Sequence, residues 1–112
     1  MEPANLGAAL DKLERDLAEA RIAEINAKQE WQFREAARRG AERAAHEADG
    51  VRHSCADVEA TIIVERNDPA TPIGKAWLAY NESRAERLRT QAEHAICDRA
   101  NWTAIRDGRM GP

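Results

Sequence analysis

The chain has 112 residues, 17 basic and 20 acidic side chains, a net charge of −3, and only three Trp, one Tyr and one Phe. That balance excludes a strongly basic, nonspecific nucleic-acid binder, and the length suits one small domain. Alanine, which favours helix but buries little area, dominates the apolar residues, so the composition suits close-packed helices completed by a second chain.

Met1-Glu2-Pro3-Ala4 carries no basic segment followed by an apolar run, and no stretch approaches transmembrane length. Cys55 and Cys97 do not make a disulfide framework. The expectation is a cytoplasmic protein with free thiols and no membrane association.

Between Gly7 and Gly40 there is no Gly or Pro, and Leu6, Leu10, Leu13 and Leu17 recur at steps of four, three and four. Ile22 and Ile25 fall out of that register, a slip that changes supercoiling without ending a helix. Asp11–Arg15, Glu24–Lys28, Glu30–Arg34 and Glu35–Arg39 place acid before base at i, i+4, which supports a solvated helix face.

Ala37, Ala41, Ala44, Ala48, Val51, Cys55, Val58 and Ile62 then alternate steps of four and three without a miss. Such a stripe is the signature of a helix with one face against another helix. It runs in phase through Gly40 and Asp49-Gly50, so the reading is one continuous or slightly kinked first helix. Thr61-Ile62-Ile63-Val64 is β-branched, but no second strand is available to pair with it.

Asn67-Asp68-Pro69-Ala70-Thr71-Pro72 ends the first helix, with Thr71 the N-cap and Pro72 the first residue of the next. The second helix runs from about Ile73 to Arg106, its expected buried face being Trp77, Arg84, Leu88, Ala95, Trp102 and Ile105. Folding it back over the Pro-rich turn pairs residues whose numbers sum to about 139. That places Trp77 near Ile62, Leu88 near Val51, Ala95 near Ala44 and Trp102 near Ala37.

The fold expected is therefore all-α: an elongated antiparallel helical hairpin (31–107), preceded by a coiled-coil oligomerisation arm (1–30) and followed by a flexible tail (108–112). The arm's leucines project uncovered. Leu6, Leu10, Leu13, Leu17, Ile22, Ile25 and Trp31 are the expected interface of a homodimer or higher oligomer.

Three groups of residues carry the types that bind ions. His94 and Cys97 share a helix face, and the hairpin register sets His46 opposite, with Glu42 or Glu93 near; ordinary surface histidines are the favoured reading, and no metal site is expected. Arg34, Arg38, Arg39, Arg43 and Arg52, with Arg84, Arg87, Arg89 and Lys75, could hold an anion or an acidic partner, against a solvated charged face. Thr71-Pro72-Ile73-Gly74-Lys75 could hold an anion at a helix start, but ordinary capping is favoured because the full phosphate-loop pattern is lacking.

No Ser/His/Asp or Cys/His arrangement is readable, and nothing calls for a cofactor or catalytic residues. The function expected is a non-enzymatic, oligomeric adaptor or inhibitor that binds a larger protein. Sequestration of a phosphate-bearing ligand or nucleic acid, and a structural assembly role, are the other readings.

Overall fold

A computed structural model describes residues 3–50 and 55–108. Among them the chain is all-helical: α1 (Pro3–Asp49), α2 (Cys55–Arg66) and α3 (Pro72–Arg106). They group into two compact units. The first joins α1 through Glu24 with α3 from Ser83 onward, and the second spans Ile25–Glu82.

The first helix expected from the unbroken stripe is in fact two helices. α1 passes through Gly40 but ends at Asp49, and Gly50 adopts a φ of 66°. That left-handed conformation is the ordinary helix terminator, open to Gly at little cost. Phase continuity across residues 48–58 therefore did not imply a continuous helix. Val51 and Arg52 lie outside the described residues, as does the side chain of Cys55.

In the first unit the α1 and α3 segments run antiparallel. Glu24 pairs with Arg87 at 2.6 Å, Glu14 lies 3.6 Å from His94, and the Leu6 carbonyl lies 3.9 Å from Cys97 Sγ. Leu6, Leu17 and Ala20 are buried from α1, and Thr90, Cys97 and Ala104 from α3. Leu10 and Leu13 pack part-buried on the same cluster. The leucines expected to project uncovered are thus covered by the chain's own α3. Each buried leucine contributes roughly 1.5–3 kcal/mol.

The register around 139 is corrected accordingly. Its premise was reversal at the Pro-rich segment, but the chain reverses between α1 and α2. In the second unit the α1 residues Arg39, Arg38, Glu35 and Trp31 meet, in turn, Glu59, Glu65, Arg66 and Trp77. α2 and the start of α3 line α1 in succession, and the Pro-rich segment joins one to the other. Among the described residues of this unit, Val58, Ile62, Ile73 and Ala76 are the buried apolar ones.

The junction itself follows its sequence closely. The Asp68 carboxylate accepts from Ala70 N at 3.0 Å, and Asp68 O accepts from Thr71 N at 3.0 Å. Thr71 Oγ1 accepts from Gly74 N at 2.9 Å, and Thr71 O accepts from Lys75 N at 2.9 Å, which is N-capping with Pro72 at the first helical position. A Cβ on Gly74 would stand 2.9 Å from the Glu65 carbonyl oxygen and closer still to the Asp68 carbonyl. The glycine of this helix start is required by close backbone approach.

The buried face expected for α3 is also corrected. Leu88, Trp102 and Ile105 are exposed, as are Arg84 and Ala95, and Trp77 is half-buried. The side chains turned to α1 include Arg87, Thr90, His94, Cys97 and Ala104. Helix periodicity identifies an apolar stripe but not its direction, and here a largely polar stripe makes the intrachain contact.

Candidate functional site: a charged network and outward stripes

In the second unit, Trp31, Glu35 and Arg39 stack at i, i+4 along α1, beside Arg38, Glu42 and His46. Glu35 is only 4% exposed. Its Oε1 accepts from Trp31 Nε1 at 2.6 Å and from Arg66 Nε at 2.7 Å, and its Oε2 lies 3.4 Å from Arg39 Nη2. A carboxylate this buried is tolerated because its oxygens are met by donors, two of them charged.

Arg39 also grips Glu59, with Nε to Oε1 at 2.6 Å and Nη2 to Oε2 at 3.0 Å. Arg38 Nε lies 3.0 and 3.1 Å from the two Glu65 oxygens, and its guanidinium also pairs with Glu42. His46 Nε2 stands 3.1 Å from Glu42. Burial acts to lower the pKa of Arg38, but its hydrogen bonds to Glu65 and Glu42 outweigh that and raise it. The Glu59 hydrogen bond raises Arg39, and the same bond holds the Glu59 carboxyl below its ordinary range.

Three aromatic rings close the network. Trp31 lies 4.6 Å from Trp77 and 5.5 Å from Tyr80, and Trp77 lies 5.8 Å from Tyr80, centroid to centroid. The Arg66 guanidinium sits 5.3 Å from the Trp31 ring and 5.2 Å from the Trp77 ring. These are cation–π distances. The aromatic cage is filled by the chain's own cation, so an external cation would have to displace Arg66.

Of the arginines proposed for anion or partner binding, most are matched within the chain. Arg34 pairs with Glu30, Arg87 with Glu24 and Arg89 with Glu86. Arg34, Arg38, Arg39 and Arg43 belong to the second unit; Arg84, Arg87 and Arg89 belong to the first. Lys75 is exposed and, with Glu30, Arg34 and Pro72, lines a concavity of about 440 Å3. Glu35–Arg39 forms as spaced, but on a buried face rather than a solvated one. Glu24 is drawn to Arg87.

The expected interface residues divide. Leu6 and Leu17 are buried, Leu10, Leu13 and Trp31 are part-buried, and Ile22 and Ile25 are exposed. His46 rests on Glu42, His94 faces Glu14, and the Cys97 thiol is buried against Leu6 O. Among the described residues no three His, Cys, Asp or Glu stand together as metal ligands.

Outside the network lie exposed apolar stripes. Ala37, Ala41, Ala44 and Ala48 are exposed on α1, whereas Val58 and Ile62, in phase with them, are buried. On α3, Leu88, Ile96 and Trp102 face outward, the last two 71% and 64% exposed. No family model, curated protein or solved structure matches the chain. Among the described residues no helix is long and apolar enough to cross a membrane.

The residues that sequence reasoning missed are Glu35, Glu59, Glu65 and Arg66, together with Tyr80 as a partner of Trp31. Glu35 and Arg66 are separated by 31 positions, so no local spacing relates them. The one available signal was Trp31-x-x-x-Glu35-x-x-x-Arg39, an i, i+4 row linking an indole donor, a carboxylate and a cation.

Proposed function

We propose that this protein is a non-enzymatic helical interaction protein that binds a larger protein, or further copies of itself, through its outward helix faces. One observation carries the reading: the alanine stripe of α1 (Ala37, Ala41, Ala44 and Ala48) keeps the spacing of a helix-packing face yet is exposed, as are Leu88, Ile96 and Trp102 of α3. Exposed apolar stripes of this kind mark interaction surfaces. The buried thiol of Cys97 fits a reducing, cytoplasmic setting. The network arginines Arg38, Arg39 and Arg66 are each paired with glutamates, which favours protein binding over capture of phosphate or nucleic acid at that network.

The test is solution mass by size-exclusion chromatography with light scattering, alone and after affinity capture, for the intact chain and Ala41→Glu. The expected result is a multimer or a stoichiometric protein complex that Ala41→Glu weakens at least tenfold. A monomer that captures no protein at any concentration overturns the reading.

A further inference from the structure

The outward face of α3 in the first unit is more specific than an apolar patch. Leu88, Ile96 and Trp102 are exposed along it, and Arg84 and Arg99 lie on the same stripe. Among the described residues, neither of these guanidiniums forms an ion pair or hydrogen bond, whereas Arg87 and Arg89 on the same helix each meet a glutamate. At its C-terminal end the stripe borders a concavity of about 420 Å3, floored by Trp102 and Ile105 and rimmed by Arg99 and Arg106.

We infer that this stripe docks an acidic amphipathic helix of a partner protein. The inference rests on the reading of the chain as an interaction protein and names the chemistry of one partner. The partner's apolar side chains cover Leu88, Ile96 and Trp102, and its carboxylates meet Arg84 and Arg99. Those two positions are 15 residues apart, about 22 Å along the helix, so the partner's carboxylates recur about four turns apart. Desolvation of the intervening apolar seam strengthens both charge pairs.

Two other occupants fit less well. A second copy laid parallel sets Arg84 on Arg84 and Arg99 on Arg99; laid antiparallel about Ala95, it sets Arg84 against Arg106. Like charges at the same level disfavour both. An anionic lipid surface is engaged by clusters of roughly four to eight basic residues, denser than the two unpaired arginines here.

The test uses three fluorescein-labelled synthetic helices that share one leucine heptad seam and carry Glu, Gln or Lys at the flanking positions. Each is titrated by fluorescence anisotropy against the intact chain and against an Arg84→Glu/Arg99→Glu variant. The expected result is that the Glu helix binds at least tenfold tighter than the Gln helix, and the Lys helix weakest. The variant reverses the order of Glu and Lys. Both arginines are exposed, and an unchanged circular-dichroism melt of the variant shows that the fold is intact.

Equal binding of all three helices, or no reversal in the variant, overturns the inference. So does binding to phosphatidylserine vesicles that the variant loses when no helix binds. Self-association or protein capture that persists in the variant, without acidic-helix binding, removes this inference and leaves the proposed function standing. Absence of every association removes both.

Discussion

The two units hold a helix against its neighbour by different means. In the first, leucines and alanines of α1 meet Thr90, Cys97 and Ala104, with Glu24–Arg87 at one end. In the second, a buried carboxylate, three arginines and three aromatic rings make most of the named contacts. The first kind of contact is tolerant, because apolar surfaces of similar size substitute for one another. The second is exacting, since every donor needs its acceptor and a lost partner leaves a desolvated charge.

Removing the hub of the charged network gives the largest expected effect. Glu35→Ala leaves Arg66, Arg39 and the Trp31 indole facing a void, and is expected to cost about 4 kcal/mol by urea denaturation. Read in a Trp102→Phe background, tryptophan fluorescence then reports only Trp31 and Trp77, both of the second unit. A cost below about 1 kcal/mol would reduce the network to a surface feature.

Gly74→Ala is next, at about 3 kcal/mol, because the new methyl meets backbone rather than a movable side chain. A thermal melt checks it. Gly40→Ala, where the added Cβ meets nothing within 4 Å, is expected to stabilise the isolated chain by about 1 kcal/mol in the same melt.

On the apolar side, Leu17→Ala is expected to cost about 2.5 kcal/mol, and Leu17→Met under 1.5 kcal/mol. Near-equal costs for the two variants would erase the contrast between a tolerant and an exacting unit. The smallest effect is electrostatic. The Glu59 carboxyl is held below its unfolded pKa by Arg39, so its contribution is present at neutral pH and fades as pH falls through the folded value. The melting temperatures of wild type and Glu59→Gln should differ slightly at pH 7 and converge once the pH falls below the lowered folded value.

Much of this fold was legible in the sequence. The helical class, the break at Asn67–Thr71, the Thr71 cap, Pro72 at the first helical position and the end of α3 at Arg106 all follow from local chemistry. What escaped was direction and pairing. Ala37, Ala41, Ala44 and Ala48 bury too little area for their periodicity to decide which way they face. Gly50 ended α1 although the stripe kept phase across it, and Val58 and Ile62 turned inward while the alanines turned out. The network depends on pairs 20 to 31 positions apart, such as Arg39–Glu59 and Glu35–Arg66, which no periodicity encodes.

The Cys97 thiol, sealed against the Leu6 carbonyl, gives the first unit its own clock. A thiol reagent cannot reach it until α1 and α3 part, so the alkylation rate in a Cys55→Ser background counts openings of that unit alone. Combined with the indole signal of the second unit, it would time the two halves of one short chain separately, without any added label on either helix pair.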